Sequence, residues 1–181
     1  MLEHALLPAS LRCSVLERLS AAASLSAIAL LIAGCSEPGA DPADPAGNGV
    51  SARVTKHTDG DTLWLSGIGK VRLIGVDTPE VYGSVECYGH EASEFVERTV
   101  PLGSEVRYRL GVDERDRYGR ALAYVWLRDG RFLNRLLVAR GYAQPLTVPP
   151  NVEYEALFVR TARRAREARR GLWGRGGCGG N

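Results

Sequence analysis

Between residues 51 and 76 the chain runs in short apolar or alternating stretches, and these admit strands of a few residues rather than helices. The stretches 51–56, 62–66 and 70–76 have this character, and Gly67-Ile-Gly69 supplies a tight hairpin link between the second and third. Two more strand patterns follow at 105–112 and 121–127. Ala92, Phe95, Val96 and Thr99 fall at helical spacing, so a helix is expected after Gly89, ended by Pro101. A second helix is expected over 133–140 with Gly141 as its stop, and a third over 152–170 ended by Gly171. Asp129-Gly130 reads as a turn and 145–150 as a proline-rich crossing. Five short strands with three helices predict an α+β domain built on a small barrel. In the last helix Leu157, Ala162, Ala165 and Ala168 are expected inward. Its arginines, 160, 163, 164, 166, 169 and 170, read as a solvated face, with Leu172 and Trp173 anchoring the helix end.

The first 49 residues do not join that core. Arg12 and Arg18 precede an apolar run at 21–33, which has the length of a signal-peptide core and is too short to span a bilayer. The run ends in Ile32-Ala-Gly-Cys35, which resembles the lipobox of bacterial lipoproteins. On that reading Cys35 is lipidated and becomes the first mature residue; the other reading is an ordinary cleaved signal beside a cysteine. The proline-punctuated, polar segment 35–49 reads as a tether. The expected organisation is therefore a leader at 1–34, a tether at 35–49, a domain at 50–173 and a tail at 174–181. The protein is expected to be exported, held at a membrane through Cys35, and monomeric.

The whole chain carries a net charge of only +2. Residues 51–181 hold 21 Arg and Lys against 16 Asp and Glu, a difference of +5, which is consistent with an anionic polymer as partner. With Cys13 in the leader and Cys35 assigned to lipid, Cys87 and Cys178 remain. In an exported protein this pair is read as a disulfide rather than as two free thiols. The sequence has no CxxC pair or histidine cluster, which argues against zinc.

Three blocks carry the chemistry: Asp59-Gly-Asp-Thr62, Arg72-Leu-Ile-Gly-Val-Asp-Thr-Pro-Glu80 and Asp116-Arg-Tyr-Gly-Arg120. Asp61 and Asp77 offer oxygen ligands of the kind hard cations take. Pro79 fixes its own φ and biases Thr78 toward an extended conformation, so Glu80 is expected to be held in place. Arginine's planar fork matches phosphate geometry. Each block alone also has a plain reading, as a turn, a helix-start carboxylate or a strand-surface arginine. Together they suit metal-assisted attack on a phosphodiester.

The blocks, with Tyr88-Gly-His-Glu-Ala-Ser93, Gly119-Arg-Ala-Leu-Ala-Tyr124, Asn134 and Gly171-Leu-Trp173, resemble the staphylococcal nuclease family in order and nearly in spacing. The resemblance covers roughly residues 50–173. It implies an OB-fold-type five-stranded β-barrel with three helices, acting as a Ca²⁺-dependent nuclease on DNA and perhaps RNA and leaving 3′-phosphate ends. It implies that Asp61, Asp77 and the main-chain carbonyl of Thr78 bind Ca²⁺ and that Glu80 acts as general base. Arg72 and Arg120 then grip the phosphate, and Tyr118 adds a hydrogen bond to it. The chain departs from the family in a shorter loop between Glu80 and Tyr88 without lysines, and in a segment 145–150 without aromatic residues. Tyr142 stands close to that segment but not at a matching position. A non-catalytic nucleic-acid-binding module is the alternative reading.

Overall fold

Five strands close into a barrel in the order β1-β2-β3-β6-β5 in the computed structural model, which describes Pro42 and residues 49–178. The leader, Cys35 and most of the expected tether lie outside the described residues. β1 (Val50–His57), β2 (Thr62–Leu65) and β3 (Gly69–Leu73) pair antiparallel, and β5 (Glu105–Arg115) pairs antiparallel with both β1 and β6 (Ala121–Leu127). The closing pair, β3 with β6, is parallel, with Val71 opposite Ala121 and Leu73 opposite Ala123. A parallel pair requires a long crossover. Here α1 (Gly89–Thr99) and β5 supply it, and closure leaves no open sheet edge around the ring. This is an OB-type α+β fold with three helices.

Alternation fills the barrel. Leu63, Val71, Ala123 and Val125 are fully buried in it, while α2 (Leu133–Arg140) and α3 (Glu155–Glu167) cover one side with Leu133, Leu137, Val138, Phe158 and Ala162. Trp126 stacks on Phe132 at 4.8 Å between ring centres, and Tyr154 meets Tyr124 edge-on at 4.8 Å. Such pairs each add about 0.5–1.5 kcal/mol beyond burial. The indole N–H of Trp126 donates to the carbonyl of Pro42 at 3.3 Å, so one residue of the expected tether lies against the barrel.

One polar side chain inside this core positions the site. Asn134 on α2 is fully buried; its Oδ1 accepts the Val125 N–H at 3.0 Å and its Nδ2 donates to the Ile74 carbonyl at 2.8 Å. Ile74 and Gly75 turn the chain out of β3. Gly75 has φ +80°, and a β-carbon there would lie 2.4 Å from the Phe158 ring, so glycine is required on both counts. The turn leads into β4 (Val76–Asp77), which pairs with β7 (Gln144–Pro145) in a separate two-stranded ladder.

Several sequence expectations are corrected here. The strand expected over 70–76 is two strands separated by the Gly75 turn, and part of the proline-rich crossing is β7. α3 is shorter than expected at both ends, and Ala168 is exposed just beyond it, while Phe158 takes an inward place. Residues 174–178 continue in turns beyond the one-turn helix at Gly171–Trp173, and Cys178 is bonded to Cys87 with Cα atoms 5.7 Å apart. The arginines of α3 are exposed, Leu172 is buried, and Trp173 packs beneath the Arg166 guanidinium at 4.3 Å.

Candidate active site

The pairing of β2 with β3 sets Thr62 opposite Arg72, and that register brings Asp61, one residue earlier, beside the Arg72 side chain. Asp61 is 5% exposed and fully engaged. Its Oδ1 forms an ion pair with Arg72 Nε at 3.0 Å and accepts Thr62 Oγ1 at 3.0 Å; its Oδ2 accepts the Thr78 N–H at 2.9 Å and Thr78 Oγ1 at 3.0 Å. Asp59 holds the turn before it, accepting the Asp61 N–H at 3.1 Å. Arg72 also donates through Nη2 to Asp77 Oδ1 at 2.7 Å, and through Nη1 to the carbonyls of Leu73 at 2.9 Å and Val76 at 2.5 Å. Three of the five N–H donors of the guanidinium are thus hydrogen-bonded to protein oxygens, and Nε faces Asp61 in an ion pair. Arg72 is the clip that gathers Asp61, Asp77 and the β3–β4 turn into one cluster.

Arg120 arrives from the turn between β5 and β6. Asp116 accepts Arg120 Nε at 2.6 Å, and its other oxygen accepts the backbone N–H of Tyr118 at 2.9 Å and of Arg120 at 3.0 Å. Gly119, at φ +78°, lets the chain double back so that these groups meet. The two Nη groups of Arg120 make no hydrogen bond among the described residues. Arg72 and Arg120 line one cleft of about 190 Å³, walled by Ile74, Val76, Leu122, Leu146 and Val148. Tyr118 stands outside the cleft lining, 67% exposed, with its hydroxyl accepting from Arg117 at 2.6 Å and its ring 5.5 Å from the Arg120 guanidinium.

Glu80 is exposed, and its carboxylate forms no hydrogen bond or ion pair among the described residues. Its backbone is fixed: the N–H donates to Glu86 Oε2 at 3.2 Å, and the carbonyl accepts the Glu86 N–H at 2.9 Å. Cys87 is next in the chain, so the disulfide ties the segment after Glu80 to residue 178.

Burial pushes the Asp59 carboxyl up to about 6, with the neighbouring Asp61 adding to the rise. Asp77 is also raised, first by desolvation; Arg72 opposes this, while Asp61 and Glu86 add to it. Carboxylates that hinder one another's ionisation form a setting that a divalent cation relieves. The carboxylates of Asp61 and Asp77, with no nitrogen or sulfur donor in the cluster, are of the kind a hard ion takes, although Asp61 would have to give up a present contact to bind one. No three His, Cys, Asp or Glu side chains converge on a metal-binding arrangement among the described residues, so these groups fit a partial oxygen shell and not a cage. Asp116 behaves oppositely: burial raises it, but the hydrogen bonds and charge from Arg120 and the Tyr118 N–H outweigh that and hold it low.

Asp59 and Asp116 stand within the motif blocks as residue types alone, and the structure makes both of them positioning groups. The spacing of Asp116 and Arg120 across Gly119 is the signal that pairs them. Fold and site together define an OB-barrel protein with an acidic-and-arginine centre beside a two-arginine cleft. Residues 70–175 match the family model described as staphylococcal nuclease homologue. The chain is 37% identical over 127 residues to the thermonuclease of Staphylococcus hyicus, covering 67% of this chain and 74% of that one. It is 38% identical over 133 residues to the thermonuclease of Staphylococcus intermedius, with 70% and 78% covered. It is also 33% identical over 136 residues to endonuclease YncB of Bacillus subtilis, with 71% and 64% covered. The chain belongs to the staphylococcal nuclease family.

Proposed function

We propose that this protein is an exported, Ca²⁺-dependent nuclease that hydrolyses phosphodiester bonds of DNA and RNA. The observation that carries the reading is the cleft shared by Arg72 and Arg120, beside the Asp61–Arg72–Asp77 cluster. Arg120 offers its free Nη groups to a phosphate in that cleft. Arg72 keeps one Nη2 N–H without a hydrogen bond, and the donor now on Asp77 would also turn to the phosphate if Asp77 held a cation. Phosphoryl transfer needs mainly charge stabilisation, so two guanidiniums on the non-bridging oxygens account for much of the rate. Glu80, with an unpaired carboxylate, takes a proton from the attacking water, and the 5′-oxygen leaves, giving 3′-phosphate ends. Tyr118 contributes a hydroxyl at the cleft margin. Asp61, Asp77 and the carbonyl of Thr78 would hold Ca²⁺, which supplies Lewis-acid stabilisation of the phosphate's growing charge when bound.

The names of the relatives support a nuclease, and the complete set of charged residues in the three blocks supports catalysis over simple binding. We further propose export as a monomer anchored to a membrane through lipidated Cys35, supported by the leader and lipobox pattern. The test is to incubate the protein with single- and double-stranded DNA and RNA, with Ca²⁺ and with a chelator. Ca²⁺-dependent cleavage with 3′-phosphate ends is expected. Binding without cleavage under any condition would establish the non-catalytic module instead. Lipid labelling that persists in Cys35→Ala would refute the anchor.

A further inference from the structure

A second feature built for nucleic acid lies outside the cleft lined by Arg72 and Arg120. Tyr142, just after α2, stacks on Phe95 of α1 with ring centres 4.4 Å apart and planes 20° apart, and on Tyr88 at 5.6 Å and 25°. Phe95 and Tyr142 then line a groove of about 540 Å³ together with Arg140, Arg170 and Gly171. None of these residues lines the cleft. Arg140 is exposed and makes no hydrogen bond or ion pair among the described residues, while Arg170 spends one donor on the Ala139 carbonyl at 3.2 Å. An aromatic wall beside one unpaired guanidinium and a second with donors to spare suits a single strand, whose bases pack on aromatic rings and whose phosphates take positive forks.

The surroundings extend the same chemistry. Arg160, Arg163 and Arg164 are exposed on α3, six to ten residues before Arg170, which lies just past the helix end. The one acid among them, Glu167, stands 3.9 Å from Arg163 and neutralises little of the set. From these observations we infer that the groove of Phe95, Tyr142, Arg140 and Arg170 is a secondary binding site for single-stranded nucleic acid, with the outward arginines of α3 continuing its phosphate track. The inference rests on the nucleic-acid reading of the protein and deepens it. It supplies aromatic contacts that the segment 145–150 at the cleft lacks, placing them on a different surface. Long strands engage both surfaces; a substrate of one or two nucleotides engages only the cleft.

The test uses the full chain and oligothymidylate of about 16 nucleotides, the upper site size of one OB fold. Binding is followed by anisotropy against salt, and cleavage is followed on the oligomer and on a dinucleotide. Arg140→Gln should flatten the slope of log affinity against log salt by about 0.7, and Arg140→Gln/Arg170→Gln by about twice that. Both should leave dinucleotide cleavage unchanged. Tyr142→Leu should weaken binding at least about fivefold without changing the slope, because it breaks up the aromatic wall and removes no charge. Unchanged slopes in both arginine variants would overturn the inference, as would a parallel loss of dinucleotide cleavage. If the variants lose binding to phosphatidylglycerol vesicles but keep the oligomer slope, the groove serves a lipid surface and the inference is wrong. A wild type that binds the oligomer but cleaves nothing would end the nuclease reading, while the slopes would still decide the groove.

Discussion

Asp116→Asn isolates how Arg120 is held. Asp116 accepts three hydrogen bonds: two from backbone N–H groups to Oδ1 and one from Arg120 Nε to Oδ2 at 2.6 Å. Asparagine can keep its carbonyl on the two backbone donors, so the turn survives. Its amide NH₂ then faces Arg120 Nε, donor against donor, and the charged bond is lost. Both side chains are mostly buried, at 16% and 26% exposed, so solvent screens the pair only partly. A charge-assisted hydrogen bond contributes about 1.5–3 kcal/mol, and with some relaxation the variant should lose about 1–2 kcal/mol of stability at neutral pH. The larger effect falls on turnover: an Arg120 free to rotate should lower kcat about 10–100-fold, equivalent to about 1.4–2.7 kcal/mol of barrier. The Asp116 carboxyl is held below its unfolded value, so its stabilisation is complete above about pH 4. It fades as pH falls through the lower folded value. The stability gap between wild type and variant should therefore close in acid. Denaturant melts at pH 7 and pH 3 with single-turnover cleavage test this. A folded variant with wild-type kcat would refute the claim that Asp116 orients Arg120.

Glu80→Gln should leave thermal stability unchanged, because the exposed carboxylate has no partner among the described residues to lose, and should lower cleavage by at least about 100-fold; near wild-type turnover would remove Glu80 as the base. Arg72→Lys can replace only part of a guanidinium that bonds Asp61, Asp77 and two carbonyls. It should both destabilise the fold, seen in melting, and lower kcat, whereas an intact melting temperature would show that the clip is not structural. Replacing Cys87 and Cys178 by serine should cost about 2–4 kcal/mol in denaturant titrations. Because Cys87 follows the segment bonded to Glu80, kcat should fall more than substrate affinity; an unchanged kcat would separate the disulfide from the site.

The strands and helices legible in the sequence were those with periodicity to read: the three strands before Val76, the helix at Ala92–Val96 spacing, and the stop at Gly141, which adopts φ +77°. β4 and β7 are two residues each and pair across the chain, so no local pattern announces them. Phe158 faces inward because Gly75 leaves space for its ring, a contact between distant residues that helical spacing alone cannot assign. The acids and arginines of the site were legible as residue types. Their arrangement was not, because Arg72 reaches Asp61 only through the Thr62–Arg72 register and reaches Asp77 only through the Gly75 turn. That is why carboxylates and an arginine that stand apart in the sequence become one bonded cluster in the fold.

The central claim, that this cluster is a Ca²⁺-dependent catalytic centre, is tested most directly by cleavage rate against Ca²⁺ concentration for wild type and Asp77→Asn side by side. The Asp77 side chain is more than half exposed and, among the described residues, bonded only to Arg72, so the variant should fold. The account predicts a saturable rise in wild type, abolished by chelator, and a Ca²⁺ requirement at least about tenfold higher, or no activity, in the variant. Superimposable curves, or wild-type cleavage that ignores the chelator, would contradict it.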